Sequence, residues 1–146
     1  METKRNDKLA SLAVDTAQKM INLPYRWGGN NPMNGFDCSG LVVEVFKAIG
    51  LLPHRGDWGA ASLSAKWPKT TEPKPGCLVF FGAGKVAHVG IVEAVFDDRV
   101  IMIEAGGGGS STKTLADAAN QDAYVMRRPV DRRKDVLFYT DPFLEV

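Results

Sequence analysis

The spacing of apolar residues changes at Pro68, and this change limits the fold more than any other feature of the 146-residue chain. Before Pro68, apolar side chains recur every three or four residues, as in amphipathic helices. After it, short apolar runs alternate with turn residues, as in strands. We predict helices over residues 8–21, from 37 or 38 to 49 and over 59–67, and strands over 77–81, 89–96, 100–105, 124–127 and 136–139. This order predicts an α+β fold, with N-terminal helices packed on a C-terminal antiparallel β-sheet.

Composition narrows the classes of protein that fit. At 45% hydrophobic residues and a net charge of +1, the chain is too apolar and too weakly charged for a disordered protein. Eighteen basic against 17 acidic residues argue against binding to nucleic acid or to an anionic membrane surface. No apolar run approaches the roughly 18 residues of a membrane span, so we expect no membrane insertion. The length predicts one domain over residues 1–146.

The two cysteines and two histidines of the chain leave little material for a structural zinc site, which usually takes four such ligands. We therefore expect no metal and no organic cofactor. A disulfide between Cys38 and Cys77 would remove a free thiol, but reduced thiols are the expectation for a chain whose charged start, residues 1–7, does not resemble a secretory signal.

Residues 37–42, DCSGLV, place Cys38 at the predicted start of a helix. The positive end of the helix dipole and the unpaired N–H groups there favour a thiolate and could hold an oxyanion. Asp37 suits the N-cap position, and we also assign Asp37 and Ser39 to the substrate and oxyanion region.

His88 begins a predicted strand, where its imidazole can point into a cleft and act as a general base for Cys38. A third polar residue would orient the imidazole, and Glu104 is the candidate because it interrupts an apolar run on the neighbouring predicted strand. The alternative is that Glu104 is an ordinary carboxylate on an edge strand.

Four motifs carry a family resemblance: YRWGG at 25–29, DCSGLV at 37–42, PGCLVFF at 75–81 and HVGIV at 88–92. In this order and spacing the chain resembles the NlpC-type, papain-like cysteine peptidases over roughly residues 8–109. The resemblance implies cell-wall endopeptidase activity on the peptidoglycan stem peptide, with Cys38 as nucleophile, His88 as base and Tyr25 at the substrate or oxyanion. The third catalytic position of that family is usually His, Asn or Gln. Glu104 there would stabilise imidazolium more strongly, so we expect a raised pKa for His88.

The remaining candidates have less specific roles. Trp27, Trp58 and Trp67 are expected to pack in the core rather than contact substrate, and His54 is expected on the surface or at the rim of a cleft. A basic cluster interleaved with Asp131 and Asp135 is either a solvated surface or a weak attraction for anionic wall polymer; its members are Arg127, Arg128, Arg132, Arg133 and Lys134.

Two functions from other classes remain open. One is an acyltransferase on the same fold, although relatives with that activity often carry His before Cys. The other is a non-catalytic structural or binding module, for which loss of Cys or His would be the signal.

Without an export signal, we expect the protein to be made in the cytoplasm and to reach the wall by lysis, in a virion or by injection. A phage lysin or tail-associated hydrolase is the expected form, and the oligomeric state is undetermined by sequence.

Overall fold

The computed structural model describes residues 4–31, 33 and 35–145. The helices within these residues are α1 (Asp7–Gln18), α2 (Cys38–Ala48), α3 (Ala60–Ser64) and α4 (Leu115–Gln121). The strands are β1 (Lys4–Arg5), β2 (Asn30–Asn31), β3 (Gly35–Phe36), β4 (Lys69–Thr70), β5 (Leu78–Phe81), β6 (His88–Phe96), β7 (Arg99–Gly106), β8 (Tyr124–Pro129), β9 (Val136–Thr140) and β10 (Leu144–Glu145). In the described part of the chain, no helix combines the length and apolar character needed to cross a bilayer.

The main sheet is antiparallel, with strands in the order β4-β9-β5-β6-β7-β8. Strands β5 to β8 follow one another along the chain, and β6 and β7 form a hairpin around Asp97, whose φ of 53° fits a tight turn. All five predicted strands are present, and the α+β class with helices packed on an antiparallel sheet is confirmed.

The two faces of the sheet are buried against different partners. On one face, alternate residues of β5, β6 and β7 pack against α1 and α2; Leu78, Ile91 and Ile103 are among them. The opposite face carries a smaller apolar cluster of Val79, Phe81, Met102 and Val130, the last from a 3₁₀ turn at Val130–Arg132. The larger core therefore fixes α2 against the sheet.

Helix α1 is shorter than predicted. The apolar period suggested residues 8–21, but the helix ends at Gln18. Asn22 adopts a left-handed conformation with φ of 78°, and its N–H donates to the carbonyl of Val125 over 2.8 Å. A backbone bond to β8 thus replaces the last helical turn. Helix α2 begins and ends close to the prediction, with Gly50 following it at positive φ.

Five two-residue strands, all missed by sequence, complete the structure. β1 pairs with β10 at the two ends of the chain, β2 pairs with β3 just before α2, and β4 pairs with β9. Strands this short carry no recognisable alternation of apolar residues, and β1–β10 joins segments at opposite ends of the sequence.

Candidate active site

Cys38 is the first residue of α2 and is partly buried. Asp37 caps the helix: one carboxylate oxygen accepts the N–H of Gly40 at 2.7 Å, and the other accepts the N–H of Gly28 at 3.1 Å. Asp37 therefore fixes the helix start to the preceding loop, as expected of an N-cap. Ser39 lies beside it, with its hydroxyl 3.3 Å from the same carboxylate.

Close backbone contact also holds the start of α2. A Cβ built on Gly40 would lie 1.9 Å from the carbonyl oxygen of Gly29, a distance no side chain can occupy. The N–H of Asp37 donates to that same carbonyl at 3.0 Å. The glycine at position 40 thus lets the loop at residues 28–29 lie directly against the turn that presents Cys38.

His88 and Glu104 meet on the sheet. Continuing the β6–β7 register from the Ile91–Ile103 pair makes them diagonal neighbours on one face. The Nε2 atom of His88 lies 2.6 Å from Oε1 of Glu104, and the Glu104 side chain is only 2% exposed. Glu104 is thus a buried partner of the imidazole, rather than an ordinary carboxylate at an edge.

The Cys38 side chain approaches the same imidazole. Since Nε2 faces Glu104, Nδ1 is the ring nitrogen left for Cys38. Burial alone would lower the pKa of His88, but hydrogen bonds to Cys38 and Glu104 and their negative charges outweigh it, raising the pKa to about 9. This agrees with the raised pKa expected from sequence, and it keeps the imidazole of His88 protonated at neutral pH.

The second oxygen of Glu104 is buried without a hydrogen bond among the described residues. Nη1 of Arg132 lies 3.9 Å from this oxygen, which is an ion-pair distance but too long for a hydrogen bond. Arg132 therefore helps to balance the carboxylate charge without taking the place of His88.

Tyr25 is buried beside Cys38, with 5% of its surface exposed. Burial, together with the nearby charges of Cys38 and Asp37, raises the pKa of the Tyr25 phenol well above its usual range, so the hydroxyl stays protonated as a donor. The glycine segment at residues 106–109 packs on it: a Cβ on Gly108 would lie 2.5 Å from the Tyr25 ring.

These groups surround one cavity of about 400 Å³. All six sequence-predicted site residues line it: Tyr25, Asp37, Cys38, Ser39, His88 and Glu104.

The prediction for Trp27 was wrong, because Trp27 is 54% exposed and lines the cavity instead of packing in the core. Trp58 and Trp67 do pack against the core, and His54 is exposed and outside the cavity.

Three residues of the basic cluster also line the cavity, a placement that sequence analysis missed. They are Arg128 on β8 and Arg132 and Arg133 at the 3₁₀ turn. Arg127 lies apart from them and pairs with Glu93 at 2.7 Å. Arg127 and Arg128 are adjacent on β8 and therefore point to opposite faces of the sheet. Which of the two faces the cavity depends on how β8 pairs with β7, and the sequence carries no signal for that register.

Cys77 is a free thiol, fully buried and outside the cavity that Cys38 lines, so the disulfide alternative does not hold. Burial raises the pKa of the Cys77 thiol. It accepts weak contacts from the Lys74 N–H at 3.4 Å and from the Arg5 guanidinium at 3.9 Å. Cys77 is therefore part of the packed interior and not of the candidate active site.

Two known proteins are similar to this chain in sequence. Murein DD-endopeptidase MepH of Escherichia coli (strain K12) is 37% identical over 89 residues, which are 58% of this chain and 33% of MepH. A probable endopeptidase p60 of Listeria welshimeri is 44% identical over 80 residues, 53% of this chain and 15% of that protein. The chain therefore matches a third or less of the length of these relatives.

A solved structure extends the similarity to the fold. The NlpC/p60 domain of the peptidoglycan hydrolase SagA superposes with a TM-score of 0.64 at 27% identity, covering 90% of this chain and 97% of that domain. The profile of the NlpC/P60 family matches residues 22–128, which are most of the chain. The match includes every residue that lines the cavity except Arg132 and Arg133. From its motifs, its fold and this match, the chain belongs to the NlpC/P60 family.

Proposed function

We propose that this chain is a cysteine endopeptidase that cleaves an amide bond in the stem peptide of peptidoglycan through a thioester. The single observation that carries the proposal is the contact series of Cys38, His88 and Glu104 in one cavity. The relatives named as peptidoglycan endopeptidases and hydrolases support the substrate class.

In the proposed acylation, Cys38 reacts as a thiolate beside the protonated His88. The Cys38 sulfur attacks the amide carbonyl, a C–S bond forms, and the carbonyl electrons move to oxygen. In this mechanism the oxyanion is stabilised by the Tyr25 hydroxyl and by the N–H groups of Cys38 and Ser39, which precede the first N–H of α2 that has an acceptor. His88 then gives its proton to the amide nitrogen, the C–N bond breaks and the amine leaves.

Deacylation reverses the proton flow. Neutral His88 takes a proton from water, the resulting hydroxide attacks the thioester, and the C–S bond breaks to release a carboxylic acid and the Cys38 thiolate. Glu104 holds the ring through Nε2 in both half-reactions, so Nδ1 keeps facing the sulfur.

The test is incubation of the purified chain with peptidoglycan sacculi of different chemotypes, with mass spectrometry of the soluble fragments. We expect cut stem peptides from the wild type and from Cys77→Ala, and none from Cys38→Ala. Because Cys77 is also a thiol but lies outside the cavity, it is the matched control. Release by Cys38→Ala, or no release from any chemotype, would contradict the proposal.

The same assay separates the two rival functions. An acyltransferase would give acyl-amine products when a primary amine is added, in place of the free acid. A non-catalytic module would bind sacculi without releasing fragments, equally for the wild type and Cys38→Ala.

For delivery to the wall we propose a phage lysin or tail-associated hydrolase, on the sequence pattern alone. Mass spectrometry of purified virions against the cleared lysate distinguishes these forms. Presence in virions indicates a tail-associated enzyme, and presence in the lysate alone indicates a lysin. Absence from both would overturn delivery by phage.

A further inference from the structure

The cavity has cationic side chains on the same side as His88. Arg128 pairs with Met102 across β7 and β8, and Glu104 follows Met102 by two residues on the same face of β7. Arg128 therefore projects from the face of the sheet that carries His88 and Glu104. Arg132, 3.9 Å from Glu104, reaches that face from the neighbouring 3₁₀ turn.

The negative groups of the cavity already have partners. The carboxylate of Asp37 accepts two backbone N–H groups, and Glu104 is hydrogen-bonded to His88. Among the arginines, Arg133 is held by two bonds to Asp135, at 2.7 and 2.9 Å.

Two cations in the cavity remain available to a ligand. The Arg128 guanidinium makes no hydrogen bond or ion pair with any described residue, although its side chain is partly buried. Arg132 has only its long contact to Glu104, and 45% of its side chain is exposed. A partly buried guanidinium without a partner suits a planar anion with two oxygens, such as a carboxylate, which arginine binds through two parallel hydrogen bonds.

We propose that Arg128 and Arg132 form a subsite for a free carboxylate of the substrate, on the amine side of the cleaved bond. This inference rests on the proposed function, because His88 gives its proton to the leaving amine and so identifies that side of the cavity. The two arginines share the face of His88, whereas the acyl group is bound to Cys38 at the start of α2. The enzyme would thus select stem peptides whose amine-side residue carries a carboxylate rather than a carboxamide.

The experiment compares stem peptides that have all carboxylates free with the same peptides amidated at one carboxylate at a time. For the wild type we expect kcat/KM to fall roughly tenfold to hundredfold when the amine-side carboxylate is amidated, as for loss of a charge-assisted hydrogen bond. Amidation elsewhere should have a smaller effect. Arg128→Gln should remove most of this preference, and Arg128→Lys should restore part of it.

Lys134→Gln is the matched control, since it removes one positive charge from the same segment at a residue that does not line the cavity. It should leave the carboxylate preference unchanged.

Like Arg128→Gln, Arg132→Gln should weaken the carboxylate preference, and the pH profile of kcat/KM for this variant separates an effect on substrate binding from an effect on Glu104. A shifted profile with an intact carboxylate preference would remove Arg132 from the subsite.

Failure of the subsite differs from failure of the proposed function. Equal cleavage of free and amidated peptides by the wild type overturns the subsite and leaves the endopeptidase standing. If no peptide is cleaved, calorimetry with Cys38→Ala decides: tighter binding of the free carboxylate that depends on Arg128 supports the subsite alone. Binding that ignores amidation overturns it.

Discussion

At the scale of single residues, the imidazole of His88 is the group whose charge controls the site. It is buried, which opposes its charged form, yet its contacts with Cys38 and Glu104 raise its pKa to about 9. The proton that the leaving amine needs is therefore present on His88 through neutral pH. A histidine in water, with a pKa near 6.5, would have lost most of it.

The pH dependence of activity follows from this shift. Below a pH of about 9 the imidazolium is present, so we expect kcat/KM to fall on the alkaline side as pH rises through about 9. Glu104→Gln keeps the shape of the side chain but removes its charge, and should move this alkaline limb down by about one pH unit or more. Rates measured from pH 5 to 10 check it. If the alkaline fall in kcat/KM stays at the same pH in Glu104→Gln, the carboxylate does not set the charge of His88.

The raised pKa of His88 also makes folding stability depend on pH. A raised pKa in the folded state stabilises the protein fully below the unfolded value of about 6.5, and this contribution disappears as pH rises through about 9.

The two thiols should differ in reactivity. Cys38 is partly exposed at the cavity, whereas Cys77 is fully buried beside Arg5. We expect iodoacetamide at neutral pH to alkylate Cys38 in the native protein and to spare Cys77, with peptide mapping as the measurement. Cys38→Ala should then take up no label until the protein is unfolded. Early labelling of Cys77 would contradict its buried position.

At the scale of elements, the start of α2 is the part of the fold on which the site depends most. Gly40→Ala would place a Cβ 1.9 Å from the carbonyl oxygen of Gly29, so the helix and the loop at 28–29 must separate. We expect a loss of about 1–3 kcal/mol in the free energy of unfolding and a large fall in kcat, since Cys38 moves with the helix.

Gly59→Ala is the control for that substitution. Gly59 precedes α3 with φ of −79°, and a Cβ there meets nothing within 4 Å. Urea denaturation and kcat of both variants provide the measurement. Equal behaviour of the two variants would show that the contact between Gly40 and Gly29 does not position Cys38.

Elements with strong local patterns were predictable from sequence, and elements defined by distant partners were not. Helix α2 has an apolar stripe, an N-cap at Asp37 and a glycine after its end, all within a few residues. By contrast, β1 exists only because β10 lies beside it. The same division holds in the site: local motifs indicated Cys38 and His88, but the cavity positions of Trp27 and Arg128 depend on tertiary contacts.

At the scale of the whole molecule, the two ends of the chain are joined by a buried ion pair. Arg5 on β1 donates to Asp141 at 2.8 Å, and their side chains are 9% and 4% exposed. The Arg5 guanidinium also donates to the carbonyl of Pro75 at 2.7 Å, so it links both ends to the turn before β5.

Arg5→Met should therefore destabilise the protein well beyond a surface substitution. It leaves the buried carboxylate of Asp141 without its cation, a change that typically costs about 3–5 kcal/mol. Lys4→Ala, on the same strand but exposed, should cost less than about 0.5 kcal/mol. Urea denaturation of both variants is the measurement, and similar midpoints for the two would exclude a stabilising role for the ion pair.

The pairing of Lys4 with Glu145 makes the described chain nearly a closed ring. Paired residues in antiparallel strands lie only about 5 Å apart, so a short peptide could join the two ends without disturbing the sheet. The fold then depends on the cyclic order of its elements rather than on where that circle is opened. A circular permutant opened at the β6–β7 hairpin, far in sequence from Cys38, should assemble the same cavity and keep its chemistry.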